Sequence, residues 1–595
     1  MAFRSAFFAL TVVCSFSAQA QEAADTIAPE GATNTSITAL SPEIQAALDA
    51  KTAGTPVEAQ DWMIAVANPL AAEAGAKVLR VGGSAADAMV AVQSVLGLVE
   101  PQSSGLGGGA FLVWYDAATR AVTTLDGRET APLAATPTLF QDAAGEPLKF
   151  FDAVVGGLSV GTPGTPALMQ AAHDRWGVQP WGSLMGDAIG LAEGGFAVSP
   201  RMAESIAGDA ERLARFAATR DYFLPDGAPL EAGDMLRNPD YAQTLRTLAA
   251  HGVDAFYSGA IAQDIVTTVR TAAGNPGVLA PIDLAVYRVK ERPAVCAEYR
   301  DAEVCGMGPP SSGALTVGQI LGLLDGYDLA AMGPDSATAW RLIGDASRLA
   351  FADRGRYMAD SDFEPVPTQG LVDPAYLASR AALLAGDDAL PEVSPGDPTF
   401  DHALNWADDD SIEFPSTSHI SIVDSMGNAL SMTTTIENGF GSRLMVRGFL
   451  LNNELTDFSF RSHRDGVPIA NRVAPGKRPR SSMAPTIVLQ DGSPVLVVGS
   501  PGGSRIIGYV AKTIIAHLDW GMDVQQAVAL PHLVNRFGTY DLEEGTTAAS
   551  LEADLQALGF ETNQRGLNSG LHAISIGEVM LGGADPRREG IALGE

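Results

Sequence analysis

Residues 413–435, EFPSTSHISIVDSMGNALSMTTT, hold two runs in which apolar and polar side chains alternate around Ser425, Met426, Gly427 and Asn428. Alternation with a period of two is the signature of a strand whose faces differ, and the turn residues between the runs make the pair a hairpin. Centring the turn on Met426 sets Ile422 opposite Leu430 and Ile420 opposite Met432, while Ser421 meets Ser431, His419 meets Thr433 and Thr417 meets Thr435. One face is then wholly apolar and the other wholly hydroxyl or imidazole. A slip of one residue would mix them, so the register is specified.

The same count tests whether Ser416, Thr417, Ser418 and His419 form a nucleophile and its base. Ser418 falls on the apolar face. Thr417 stands at the start of the strand, with Thr435 about 4.5–5.5 Å away at Cβ by general sheet geometry. His419 is two residues along, roughly 7 Å by strand rise, which is beyond hydrogen-bond reach of a hydroxyl at position 417. The pattern singles out Thr417 and leaves it without a base; taken alone, it also describes an ordinary amphipathic hairpin.

The rest of the chain bounds what this hairpin serves. Its 595 residues suffice for a large buried core. With 70 acidic against 38 basic residues the net charge is −32, which argues against nucleic acid as a partner. The N-terminus carries Arg4, an apolar run from Ala6 to Phe16 and Ala18-Gln19-Ala20, which reads as a secretory signal over 1–20 and predicts a periplasmic or secreted protein with no membrane span after its removal. Cys14 follows Val13 rather than a small residue, so no lipoprotein site is read. Residues 21–60 lack periodicity and read as a loose lead-in. The segment 68–101 predicts a helix ending at Gly82-Gly83 and a second helix capped by Ser84 with Asp87 three residues later. FLVWYD and VTTLDGRE read as strands, 160–400 as mainly helical, and DHALNWADDDSIEFP as an exposed acidic linker. Strands dominate afterwards. Helical layers beside sheet indicate α+β or a layered sandwich.

Two further features bear on chemistry. VLVVGSPGGSRII runs from a strand through Gly502 and Gly503 into a helix, where free backbone N–H groups could form an oxyanion hole or simply a tight turn. SSGLGGGAF lacks both the phosphate-loop and the dinucleotide pattern and reads as close backbone packing. Cys296 and Cys305, nine positions apart, are compatible with a disulfide across a hairpin or with two buried thiols. No metal-ligand spacing and no cofactor motif is present.

Together NPLAAEAGAKVLRVGGSAADA, VEPQSSGLGGGAF, DGRETAP, TSHISIVD, GFLLNNELTDF, KRPRSSMAPTIV and GSPGGSRII, in order between about 68 and 510, resemble the γ-glutamyltransferase (γ-glutamyl transpeptidase) family of N-terminal-nucleophile hydrolases. The resemblance implies an α+β fold, the four-layer αββα sandwich formed by both subunits of an autoprocessed precursor. Cleavage between Ser416 and Thr417 would give a large subunit (61–416 beyond the lead-in) and a small one (417–595). The freed α-amino group, with a reference pKa of about 7.7–8.0, would then supply the missing base.

Carried over position by position, the resemblance makes Thr417 the nucleophile that forms a γ-glutamyl ester and Thr435 its hydrogen-bond partner. Gly502 and Gly503 become the oxyanion hole. Asp457 and Glu454 would hold the substrate's α-ammonium, and Arg128, Ser481 and Ser482 its α-carboxylate. Glu437 stands where many members have Asn and is expected at the ammonium. The segment 457–481 looks shorter than in members with a lid loop, and His419 is expected to pack rather than react. The implied partners are glutathione or other γ-glutamyl compounds, with water, an amino acid or a dipeptide as acceptor. Glutaryl-cephalosporin acylases of the same fold are the close rival, as is an inactive exported binding homologue. A glutaryl group has no α-ammonium, so Asp457 favours the glutamyl reading.

Overall fold

The computed structural model describes residues 41–400, 405–409, 411 and 413–595. The expected signal over 1–20 and the first part of the lead-in lie outside the described residues. Fourteen strands make two sheets: β1 (Val57–Ala59), β2 (Met63–Val66), β3 (Gly109–Asp116), β4 (Ala121–Gly127), β5 (Lys290–Pro293), β6 (Val295–Tyr299), β7 (Ala302–Gly306), β8 (Ser418–Val423), β9 (Ala429–Thr435), β10 (Thr486–Gln490), β11 (Ser493–Gly499), β12 (His572–Ile576), β13 (Met580–Ala584) and β14 (Ile591–Gly594). The first sheet runs β1-β13-β12-β11-β10-β7-β6 and the second β14-β2-β8-β9-β3-β4-β5, with every neighbouring pair antiparallel.

Three groups of buried side chains stack these sheets into layers. Ile64, Leu112, Ile420 and Met432 pack under α2 (Pro69–Arg80) and α3 (Ala85–Val99). Val113, Ala429, Ile487 and Val497 fill the space between the sheets. Val304, Val488 and Val498 pack under α5 (Gly313–Leu324), α6 (Ala337–Tyr357) and α7 (Ile506–Leu518). The order is helix, sheet, sheet, helix, as an αββα sandwich requires.

The 417–435 hairpin sits at the centre of the second sheet, in the register expected from its pattern: His419 meets Thr433, Ile420 meets Met432, Ser421 meets Ser431 and Ile422 meets Leu430. Its polar face is buried too. Ser431 Oγ donates to the carbonyl of Val498 (3.1 Å) and Ser421 Oγ to that of His572 (3.2 Å), so the hydroxyls tie one sheet to the other. An exposed polar face, as in an ordinary amphipathic hairpin, is thereby excluded. Ser84 caps α3 through a reciprocal bond with Asp87, as anticipated.

Two expectations are corrected. The lead-in is not loose throughout: α1 (Pro42–Ala53), with Ser41 as N-cap and Gly54 as C-cap, buries Ile44 and Ala47, and β1 joins the first sheet. Its apolar residues are too few to show a stripe, and the caps carry the helix. The acidic stretch before Thr417 is not an exposed linker either, for Trp406, Asp409, Glu413, Phe414 and Ser416 are all buried. Its carboxylates face guanidinium groups from distant segments, which a linear reading of charge cannot see. Cys296 and Cys305 are joined as a disulfide between β6 and β7.

Candidate active site

Thr417 lies just ahead of β8, 4% exposed, with φ at 129°. Side chains other than glycine rarely adopt that backbone, and holding it costs on the order of 1–3 kcal/mol. The surroundings over-determine it. Ser416 Oγ donates to the carbonyl of Gln102 (2.9 Å), and Arg588 donates to the carbonyl of Thr417 (3.2 Å). Thr417 Oγ1 lies 3.2 Å from Thr435 Oγ1, as the register implied, and Thr435 Oγ1 also accepts the N–H of Glu437 (2.9 Å). The Gly-rich loop packs as anticipated, since a Cβ on Gly108 would fall 1.9 Å from the carbonyl oxygen of Thr435.

Among the described residues His419 makes no hydrogen bond to Thr417. Its nitrogens meet Thr433 Oγ1 (2.9 Å) and Ser421 Oγ (3.0 Å), and burial, followed by the neighbouring His572, pushes it well below the ordinary histidine range. Both ring nitrogens are occupied in the inter-sheet network.

One pocket gathers Arg128, Thr417, Thr435, Glu437, Glu454, Asp457, Ser481, Ser482 and Gly503. Gly502 and Gly503, with φ of 134° and 55°, form the turn between β11 and α7. A Cβ on Gly503 would come within 2.9 Å of the Phe414 carbonyl, so the chain ahead of Thr417 lies directly on this turn. That segment fills the pocket, leaving a cavity of about 20 Å³, room for roughly one water. Phe414 anchors it against Phe150 at 4.2 Å between ring centroids.

The charged groups are arranged differently from the sequence expectation of separated cation and anion partners. Arg128, fully buried, is bonded to both Glu454 and Asp457. Three buried carboxyl groups, Glu129, Glu454 and Asp457, face this one guanidinium, and a fourth, Glu437, stands beside Glu454 and Asp457 with Arg443 as its opposing charge. Burial first, then the charge of Glu454, raises Glu437 to about 8, and burial lifts Asp457 and Glu129 well above the carboxylate range despite Arg128. Such a cluster has too few positive charges of its own and favours an incoming cation.

Ser482 sits apart from Arg128. Its hydroxyl donates to Glu413 and accepts from Arg354 (2.6 Å), and Arg354 also pairs with Glu413. Arg480 lies 3.7 Å from the same carboxylate. Ser481 Oγ accepts the N–H of Met483 (3.1 Å) and, among the described residues, binds no charged group. A glutamate side chain thus occupies the hydroxyl of Ser482, one of the three residues expected to hold a carboxylate, together with Arg354 rather than Arg128.

Sequence reasoning missed Glu129, Arg354, Glu413, Arg480 and Arg588. Glu129 and Arg480 stand beside residues that were singled out, and adjacency was their only signal. Arg354 belongs only to a helical pattern, and Arg588 lies in a C-terminal segment without a motif. Among the described residues no group of three or more His, Cys, Asp or Glu side chains is placed to hold a metal, and no helix is long and apolar enough to cross a membrane.

A four-layer αββα sandwich with a buried threonine opening a central strand is the architecture of N-terminal-nucleophile hydrolases. The model of the gamma-glutamyltranspeptidase family matches residues 71–595, and the chain belongs to that family. The glutathione hydrolase proenzyme of Bacillus subtilis strain 168 is 38% identical over 549 residues, covering 90% of this chain and 92% of the relative. The acylase ACY 1 proenzyme of Pseudomonas sp. strain SE83 is 34% identical over 506 residues, covering 84% and 87%. The cephalosporin acylase structure from Bacillus halodurans superposes with a TM-score of 0.80 over 91% of this chain and 97% of that one; at 24% identity it speaks for the fold alone.

Proposed function

We propose that the chain is an exported proenzyme that cuts itself between Ser416 and Thr417 and then hydrolyses or transfers γ-glutamyl groups, glutathione among its donors. The observation that carries this reading is Thr417 itself: strained, buried, bonded to Thr435 and preceded by a segment that lies on the Gly503 turn and that the cut would free. In processing, Thr417 Oγ attacks the Ser416 carbonyl, an ester C–O bond replaces the C–N bond, the hydroxyl proton passes to the departing nitrogen, and water then cleaves the ester. The freed amine accepts the hydroxyl proton in each later turnover. Gly502 and Gly503 are suited to stabilise the oxyanion.

The acidic cluster supports a glutamyl over a glutaryl substrate. An α-ammonium brought among Glu437, Glu454 and Asp457 would supply the missing positive charge, and the substrate α-carboxylate would take the corner of Ser482 and Arg354 that Glu413 fills before cleavage. Arg128 then positions the carboxylates as well as balancing them. Thr417→Ala should leave a single uncut band on a denaturing gel and abolish turnover. Asp457→Asn should cut kcat/KM for γ-glutamyl amides at least tenfold more than for glutaryl amides; equal losses on both would refute the ammonium contact.

A further inference from the structure

Arg588 holds the carbonyl of Thr417 (3.2 Å), and its guanidinium is itself held by Asn568. The Asn568 side chain accepts from its Nε (2.7 Å) and the Asn568 carbonyl from its Nη2 (3.1 Å). Asp585 ties the two stretches together. Its carboxylate accepts the N–H groups of Gly570 (2.8 Å) and Leu571 (3.0 Å) from one and that of Arg587 (2.9 Å) from the other. A Cβ on Gly570 would fall 2.6 Å from Arg588 Cδ, so the stretches pack without a gap.

The backbone of Arg588 is fixed from the far end of the chain. Lys51, in the last turn of α1, sends its ammonium to the carbonyls of Arg588 (3.0 Å) and Gly590 (2.6 Å). Two carbonyls converging on one ammonium make a charge-assisted clamp on the turn that carries Arg588. Burial draws Lys51 down to about 8 against the pull of Asp585 and Glu589, so it is mostly charged at neutral pH. His572 on β12, which feels the same ammonium, is held at about 3 by burial and stays neutral. The helix that sequence patterning left in a loose lead-in is therefore two side chains away from the Thr417 carbonyl.

We propose that Lys51 and Arg588 are positioning residues for the reaction: Lys51 of α1 holds Arg588 against Thr417, where the guanidinium fixes the carbonyl of the nucleophile and lies beside the amine that cleavage creates. The inference rests on the reading of Thr417 as an autoprocessed nucleophile. A positive charge beside an ammonium disfavours the charged form, so Arg588 keeps the amine free to take the hydroxyl proton at neutral pH. The other charged or titratable groups lining the Thr417 pocket are Arg128, Glu413, Glu437, Glu454 and Asp457. Glu413 is paired with Arg354 and Glu454 with Arg128, while burial leaves Glu437 and Asp457 protonated at neutral pH. Before cleavage the same brace steadies the Thr417 backbone at its φ of 129°.

The test follows hydrolysis of γ-glutamyl-p-nitroanilide by the processed protein across a range of pH. Arg588→Met is expected to move the acid limb of kcat/KM upward by about one pH unit, with a roughly fivefold loss near pH 6.5 that recovers to within about twofold at pH 9. Arg588→Lys should keep the limb close to that of wild type. Lys51→Met should move it in the same direction by roughly half as much, and slow processing severalfold in a gel time course. Pocket carboxyl groups titrate in the same profile, so the amine is also read by itself, from the pH dependence of its carbamoylation by cyanate, followed by mass spectrometry of the Thr417 peptide. A loss in Arg588→Met that is equal at every pH, with the titration of the amine unmoved, would overturn the proposal. So would a Lys51→Met protein that matches wild type in both readouts. Should Lys51→Met fail to fold, judged by its denaturant midpoint, Lys51→Gln is read in its place by the same criteria. Absence of a γ-glutamyl adduct on the Thr417 peptide would defeat the parent reading, whereas an adduct with an unshifted amine in Arg588→Met would defeat only this one.

Discussion

Glu437 shows how a single buried side chain couples folding to pH. Its backbone is left-handed (φ 74°), its carboxylate accepts from Asn453 and from the N–H of Phe414 (3.4 Å), and its pKa lies near 8 because of burial and then Glu454. The unfolded chain releases this proton near the ordinary glutamate value of about 4.3. Between those pH values the folded state holds a proton that the unfolded state has lost, so stability falls as pH rises through the window, by on the order of a few kcal/mol. Denaturant midpoints of uncut Thr417→Ala protein are expected to drop between about pH 5 and 8, and adding Glu437→Gln should flatten that decline. An unchanged slope would mean that Glu437 is ionised before any substrate arrives. Gly503 offers a second test at this scale: alanine there would meet the Phe414 backbone within 2.9 Å and must also hold φ at 55°. Gly503→Ala should slow processing at least tenfold in a gel time course.

The elements differ in how much of them the sequence disclosed, and the difference follows the range of the interactions that define them. The β8–β9 hairpin was legible to the residue because its register is set by its own alternation and turn, and the Thr417–Thr435 contact came with it. The N-terminus of α3 was legible for the same reason, since Ser84 and Asp87 are three apart. Asp87 also accepts the N–H groups of Val178 (2.9 Å) and Gln179 (3.1 Å), and Asp424 in the hairpin turn accepts that of Ala85 (2.9 Å). Those ties were invisible. Ser84→Ala should therefore cost about 1 kcal/mol, the usual value for a lost cap, read as a lowered denaturant midpoint. The 405–416 segment is illegible in sequence for the complementary reason: Glu413 is buried against Arg354 and Arg480, which are remote in sequence. The site's motifs were visible as a family resemblance, but the pairing of Arg128 with Glu454 and Asp457 depends on three-dimensional packing.

At the scale of the whole molecule, the position of the proposed cut relative to the sheets decides what processing does to the fold. Residues 41–416 supply β1 to β7 and residues 417–595 supply β8 to β14, and each of the two large sheets draws strands from both sets. In the second sheet β2 lies between β14 and β8, and β9 pairs with β3; in the first, β1 pairs with β13 and β7 with β10. Five strand pairings therefore cross from one fragment to the other, and both faces of the inter-sheet layer are shared. Separating the fragments would expose sheet edges and divide each apolar layer, a cost comparable to unfolding. Cleavage of one peptide bond leaves those contacts in place and frees only the segment that fills the pocket. The two fragments are thus expected to co-elute as one species of unchanged size in native size-exclusion chromatography, at low and at high salt. They should part only across the same denaturant transition that removes secondary structure. Dissociation in buffer with both fragments still folded would show that the sheets are not continuous across the cut.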